Sequence, residues 1–302
     1  MPLDFQPVTA DSCDALHRFL PVAGNGDCNL TVAAVLAYAR QKETHFAVAG
    51  GALLLRWRPR PETPMLFQAA SPGALCPDVV AELETYALRR GAPLSLWGVV
   101  PELSECITRT MPYRIFTATT SNAWWDYLYE REALATLAGR KLNGKRNFAK
   151  RFHAAHPGAR LLPIERGTIG LCERFREWWY AVRDMSDPGL AEERQGIATA
   201  FANFERLGLT GAVLAEGGEV FGFTYGAPSA PDIFCVHIEK ADRGVAGAYP
   251  ALAQGFAAGL PGTWRLLNRE EDLGIPGLRK AKQDWAPARM LVKGYVTLQP
   301  EG

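Results

Sequence analysis

The run Ile233 to Ile238 is apolar at Ile233, Phe234, Val236 and Ile238, and it ends among His237, Glu239 and Lys240. Charged residues that close an apolar strand sit where open α/β sheets place ligands. Glu239 can take a proton from an attacking amine, which is inert as an ammonium. Lys240 can pair with a phosphate or steady a developing negative charge. The plainer reading is a Glu–Lys ion pair. A second set follows at Asn268, Arg269, Glu270, Glu271 and Asp272, then Leu273, Gly274 and the stretch Ile275 to Gln283 (IPGLRKAKQ). Gly274 and Pro276 mark a tight strand-to-helix junction. Its crowded carboxylates repel one another unless cations offset them. Arg279 and Lys282, spaced to share a helix face, lie just beyond, with Lys280 between them. Acids and bases mixed in this way suit a substrate with an amine and a phosphate. The plainer reading is a helix with acids before its start and bases toward its end, as its dipole favours.

A third set is basic. Between Glu132 and Glu165 there is no acidic residue, while Arg140, Lys141, Lys145, Arg146, Lys150, Arg151 and Arg160 all occur, with His153 and His156. If this stretch is helical, Arg140, Lys141, Lys145 and Arg151 lie near one face. Such a stripe fits a phosphate-rich partner: a tRNA end, coenzyme A or an anionic membrane. The alternative is a solvated face whose acidic neighbours come from elsewhere. The turn Ala241 to Ala248 precedes a helix and can cradle a pyrophosphate. Ala241, however, stands where acetyltransferases usually have Gln or Arg.

The elements that must position these residues alternate between strand and helix. The first half reads as a helix from Thr31 to Arg40, a hairpin around Gly50-Gly51, a strand Met65 to Ala69, a helix Pro77 to Arg90, a strand Leu94 to Val100, a helix Glu102 to Arg109 and a strand Tyr113 to Thr117. Trp124 to Ala138 reads as helical toward its end, and Leu142 to Ala155 as a further helix. The second half reads as a strand Arg160 to Ile164, helices Leu171 to Met185 and Glu192 to Leu207, and a hairpin around Gly217-Gly218. A strand to Ile238, a helix near Gly247 to Ala258, a strand Trp264 to Asn268, a helix Pro276 to Asp284 and one last strand Arg289 to Thr297 complete it. That order is the order of an acetyltransferase-like fold, and the first half repeats it more faintly. The expected fold class is α/β (α+β): a tandem acetyltransferase-like arrangement of two mixed sheets flanked by helices. The expected division is residues 1–139 and residues 140–302, with the site in the second.

Composition bounds the rest. Over 302 residues, 33 Lys and Arg nearly balance 32 Asp and Glu, which argues against a general nucleic-acid coat. The chain starts with neither a basic segment nor an apolar run, and no stretch is apolar enough to span a bilayer, so a cytoplasmic location is expected. The six cysteines form no C-x-x-C pair and are read as reduced thiols; with five histidines and no H-E-x-x-H, no catalytic metal is expected.

Four segments together resemble one family: LNGKRNFAKRF (Leu142 to Phe152), VHIEKA (Val236 to Ala241), GAYPALAQGFA (Gly247 to Ala257) and NREEDLGIPGLRKAKQDWAP (Asn268 to Pro287). They look like the C-terminal domain of phosphatidylglycerol lysyltransferase, and the resemblance covers roughly Asp126 to Tyr295. It implies a doubled acetyltransferase-like fold related to Fem-type transferases, which move an aminoacyl group from aminoacyl-tRNA to a hydroxyl or amine. Lipid-modifying members carry a large membrane domain that this sequence lacks. That departure turns the expectation from a lipid to a small-molecule acceptor, with no DNA partner and no membrane insertion. On this reading Glu239, Asp272 and Lys282 are catalytic. His237, Lys240, Asn268, Glu270 and Arg279 bind substrate, and Lys145, Arg146, Lys150 and Arg151 hold phosphates of the tRNA. Aminoacyl-tRNA is the co-substrate and no cofactor is expected. Two alternatives remain open: an N-acyltransferase that uses acyl-CoA at the Gly244 to Ala248 turn, and a non-catalytic binding protein with a degenerate site.

Overall fold

The computed structural model describes residues 3–20, 22, 24–60, 63–71, 75–111, 115–182, 186 and 188–299. The first part of the chain forms β1 (Gln6–Pro7), α1 (Cys13–His17), α2 (Val32–Ala37), β2 (His45–Ala49), β3 (Ala52–Trp57), β4 (Leu66–Ala70), α3 (Pro77–Leu88), β5 (Ser95–Val99), α4 (Pro101–Thr110) and β6 (Phe116–Thr120). The rest forms β7 (Asp126–Glu130), α5 (Arg131–Thr136), α6 (Asn143–Ala155), β8 (Arg160–Pro163), α7 (Ile169–Ala181), α8 (Pro188–Ala202), β9 (Thr210–Glu216), β10 (Glu219–Ala230), β11 (Ile233–Ala241), α9 (Ala248–Gly259), β12 (Leu266–Asn268), α10 (Pro276–Gln283), β13 (Arg289–Leu291) and β14 (Gly294–Leu298).

Local chemistry explains several of these elements. The hairpins β2–β3 and β9–β10 turn on Gly50-Gly51 and Gly217-Gly218, all four with positive φ, as the tight turns that match strand twist require. Proline opens α3, α4 and α10, where its missing N–H costs no hydrogen bond. The strands make two mixed seven-stranded sheets, as the fold class read from the sequence requires. The first has the order β1-β2-β3-β4-β5-β14-β6 and the second β13-β7-β12-β11-β10-β9-β8. The pairs β4–β5 and β11–β12 are parallel.

Helices cover the faces. On the first sheet, α3 packs Val79, Val80 and Leu83 against Leu54, Phe67 and Leu96. On the second, α5, α6 and α9 bury Leu134, Phe152 and Leu252 with Phe221 and Phe234. Between the sheets lies a shared core. Leu16 of α1, Leu36 of α2 and Leu53 of β3 meet Phe175 and Tyr180 of α7, Phe201 of α8 and Phe223 of β10.

Four expectations are corrected. Asp126–Glu130 is a strand, not the approach to a helix: it is buried along most of its length between β12 and β13. The last strand is two, because the chain leaves the second sheet after Leu291 and enters the first at Gly294. By sheet membership the changeover therefore falls between Thr120 and Asp126, before residue 139, and β14 returns to the first sheet. Arg140 and Lys141 precede α6 and do not lie on it. The reading of strand at Tyr113 and Arg114, and of helix at Arg183 to Met185, lies outside the described residues.

Candidate active site

The bend in β11 governs which way each candidate residue points. β10 pairs Tyr225 with Ile238 and then Gly226 with Val236, which leaves His237 as the extra residue of a β-bulge. A one-residue slip reverses the alternation of side chains. Before the bulge Phe234 and Val236 join the core under α9; after it Ile238 joins the core shared with α7 and α8. Glu239 and Lys240 thus fall on opposite faces. The sequence reading grouped them, and the structure separates them. β12 follows β11 only from Ile233–Leu266 to Cys235–Asn268 and then turns away, so β11 beyond the bulge has a partner on one side only. The opening lies at the C-terminal end of this parallel pair, a usual position for ligand sites in sheets of this kind.

On one side of the opening, Arg269 Nη2 donates to Glu239 Oε1 at 2.6 Å, and the Arg269 guanidinium lies 4.8 Å from the Trp285 ring. Arg269 Nη1 is buried and has no hydrogen-bond partner among the described residues. Lys145 of α6 approaches the same ring at 4.9 Å. Burial pushes the Glu239 carboxyl up against the pull of Arg269, and it lowers the ammoniums of Lys145 and Lys282. Lys282 Nζ donates to the Glu270 carbonyl at 3.1 Å and to the Arg269 carbonyl. An ammonium has three N–H donors, so one remains beyond these two bonds.

On the other side, Glu270 takes φ +60° and accepts from His237. Tyr38 and Lys42, just after α2, face Glu270, Glu271 and the α8 carboxylate Glu192. Burial first, and then these carboxylates, push the Tyr38 hydroxyl up. Lys240 Nζ meets Glu193 at 2.6 Å and stands 4.0 Å from the Trp179 ring.

Beneath the opening lies a buried ionic cluster. Lys293 Nζ is 2.6 Å from Asp27 Oδ1 and 2.8 Å from Asp126 Oδ1, with all three side chains fully buried, and 3.8 Å from Glu271 Oε2. Burial pulls the Lys293 ammonium down, but Asp126 and Asp27 together hold it well above its ordinary value. Asn268 Nδ2 donates to Asp126 at 2.7 Å and to the Gly26 carbonyl at 2.7 Å, and Asn268 Oδ1 accepts from Glu270 N. Cys28 donates through its thiol to Glu271 Oε2 at 2.9 Å. Burial pushes that thiol far up, which suits a donor and disqualifies it as a thiolate nucleophile. Asp27, Cys28 and Asp126 have the composition of a metal site, but the protein's own ammonium already sits on both carboxylates.

The structure thus brings together His237, Glu239, Glu270 and Lys282 around one opening, with Asn268 buried beneath it. It does not support Asp272 as a proton acceptor. That carboxylate takes hydrogen bonds from Arg279 Nε (2.7 Å), Arg279 Nη2 (3.0 Å), the Tyr127 hydroxyl (2.6 Å) and Gly274 N (2.8 Å). Arg279 foremost holds it at about 2. Arg279 is likewise engaged, by Asp272 and Asn122. Arg146 serves the end of α5, where it donates to the Leu137 carbonyl at 2.6 Å. Lys150 and Arg151 are exposed on α6. Sequence reasoning missed Thr31, Asp27, Asp126 and Lys293. Only the last carries a local signal, a lysine inside the apolar run Met290 to Val296. The turn read as a coenzyme A cradle is largely closed. Gly244 N is held by Asp242, Ala248 N by the Val245 carbonyl, and a Cβ on Gly247 would meet the Phe148 carbonyl of α6.

Residues 29–296 match the family described as phosphatidylglycerol lysyltransferase, C-terminal. The crystal structure of a conserved protein of unknown function from Bacteroides thetaiotaomicron VPI-5482 is similar along the whole chain, with 32% identity, a TM-score of 0.91, and 98% of this chain and 100% of that chain covered. The structure of L-PGS from Bacillus licheniformis shares the fold at 13% identity, with a TM-score of 0.62 and coverage of 97% and 92%. No curated protein matches.

Proposed function

Because the chain belongs to the phosphatidylglycerol lysyltransferase C-terminal family, we propose that it is an acyl-group transferase that moves an aminoacyl group from aminoacyl-tRNA to a small acceptor with an amine or hydroxyl. The observation that carries the donor is Arg269 Nη1, a buried cationic donor with no partner among the described residues, set beside Lys145 and Lys282. A buried charged donor left unpaired is costly, and an anionic group seated there would satisfy it. The terminal phosphates of a tRNA supply such a group. The exposed Lys150 and Arg151 extend the positive face along α6.

In this reading the acceptor attacks the ester carbonyl of the donor. Lys282, with one N–H to spare, faces the oxyanion that forms. Glu239 holds Arg269 in place. Lys240, committed to Glu193 on the opposite face, stands apart from this chemistry. The occupied N–H groups and the α6 backbone at the Gly247 turn speak for tRNA over acyl-CoA.

Filter binding with charged and uncharged bulk tRNA over a salt series tests the proposal. Charged tRNA should be retained preferentially, with affinity that falls steeply as salt rises. Arg269→Ala should weaken retention of charged and uncharged tRNA alike, and Lys150→Glu should flatten the salt slope. Absence of binding at low salt would reject the donor.

A further inference from the structure

His237 is the hub of a hydrogen-bonded chain that joins the two halves of the protein. Its Nε2 lies 2.8 Å from Thr31 Oγ1, and its Nδ1 lies 2.9 Å from Glu270 Oε1. Thr31 precedes α2 and accepts from Ala34 N at 3.0 Å, as an N-cap does. With that lone-pair contact made, its hydroxyl proton is free for Nε2. His237 Nδ1–H then points at the Glu270 carboxylate. Each donor meets one acceptor, and the chain closes without a spare proton.

We infer that Glu270 is the carboxylate that takes the proton from an acceptor amine, and that His237 and Thr31 are positioning residues that hold it ready. The inference rests on the transfer reaction proposed above and narrows its acceptor to an amine. Glu270 is fixed at the backbone as well. Its N–H is held by buried Asn268, its carbonyl by Lys282, and its φ of +60° is a conformation that a non-glycine residue keeps only when its surroundings impose it. The His237 side chain is 9% exposed and that of Glu270 34%, so the carboxylate alone reaches the opening. The titratable groups near it are Cys235 and His237 of β11, Tyr225 of β10, Tyr38 and Lys42 after α2, the adjacent Glu271, and Lys282 of α10. Glu271 beside it accepts from the Cys28 thiol and lies 3.8 Å from Lys293, so of the two carboxylates Glu270 is the one that meets a substrate amine. Thr31, 1% exposed and engaged as a cap, is not a nucleophile despite its histidine.

The step balances. The amine gives one proton to Glu270, and its nitrogen bonds to the carbonyl carbon of the aminoacyl ester. The ester C–O bond to the terminal ribose breaks, and Glu270 returns the proton to the departing ribose oxygen. The products are an amide and uncharged tRNA, with no change of oxidation state.

Cys235 Sγ stands 3.6 Å from the same Nδ1, so Cys235, His237 and Glu270 could instead bind a divalent cation. That arrangement requires the opposite tautomer, with the proton on Nε2. The tautomer therefore decides between the two assignments.

The test has two arms, both on the full chain. Long-range proton–nitrogen spectra of protein labelled at histidine, with His237 identified by His237→Gln, report the tautomer. The expected result is a proton on Nδ1 whose downfield signal disappears in Glu270→Gln. A proton on Nε2, or a shift of the His237 nitrogens on addition of zinc chloride, would overturn the positioning role. The second arm follows transfer from charged bulk tRNA to a set of primary alkylamines. Glu270→Gln should lower kcat roughly 10²- to 10⁴-fold with KM for charged tRNA little changed. Thr31→Val should lower kcat less and blunt the acid limb of the pH profile, and Thr31→Ser should restore both. Wild-type kcat in Glu270→Gln would overturn the proton-acceptor role alone. Inactive wild-type protein would overturn the transfer reaction, while the tautomer still reports on the chain of hydrogen bonds.

Discussion

Asp272 receives four hydrogen bonds and stays ionised down to about 2, below its ordinary 3.8. A carboxyl depressed in this way stabilises the fold above its unfolded value and loses that contribution as pH falls through the folded one. The loss should fall between about pH 4 and pH 2. Asp272→Asn is expected to cost about 2 kcal/mol near neutrality and to weaken the acid dependence of stability. Urea unfolding at about pH 7 and about pH 3 would show both effects. That His237, Glu239, Asn268, Glu270 and Lys282 come together was legible because they cluster in two short segments, around the end of one apolar strand and around the strand-to-helix junction that follows the next. Their partners were not legible. Thr31 looks like any helix cap, and nothing near it in sequence points to a histidine two hundred residues away. The roles of Asp272 and Lys240 were misread because charge alone does not tell a free group from one already paired.

Among the elements, the Val292-Lys293 crossing between β13 and β14 carries a fully buried ammonium. Asp27 comes from the loop before α2, Asp126 from the start of β7, and Lys293 from the crossing itself, so one ammonium pins three segments. Lys293→Met would leave two buried carboxylates without their cation. It should cost about 3–5 kcal/mol, measurable by chemical denaturation. The hairpins were legible because paired glycines with positive φ announce their turns, and α3, α4 and α10 because proline announces their starts. β7 was not. Its residues, Asp126 to Glu130, are rich in tyrosine and run directly into helix-forming Arg131 to Thr136, so no breaker separates strand from helix. Nor was the split of the last strand, whose apolar run continues past Lys293; only the pairing register shows that the chain has changed sheets.

At the scale of the whole molecule, the two sheets share the core formed by α1, α2, α7 and α8. A core held in common predicts that the halves do not unfold separately. Calorimetry should show a single transition, coincident with the loss of near-ultraviolet dichroism. A chain that stops at Leu291 keeps every residue of the second sheet yet loses the strand between β5 and β6. It is expected to lose the cooperative transition and to aggregate through the two exposed edges. The α/β class was legible from the alternation of elements. The exchange of β14 was not, because it depends on pairing with β5 and β6, far away in sequence.

That strand also sets a timetable for synthesis. The ribosome makes β5 and β6 well before β14. At ordinary elongation rates roughly ten to thirty seconds pass between the end of β6 and the arrival of the strand that joins it to β5. During that interval the nascent first half has two unsatisfied edges and cannot reach its final form. Its completion must wait for β14, and until then the unpaired edges of β5 and β6 are open to pairing with other strands.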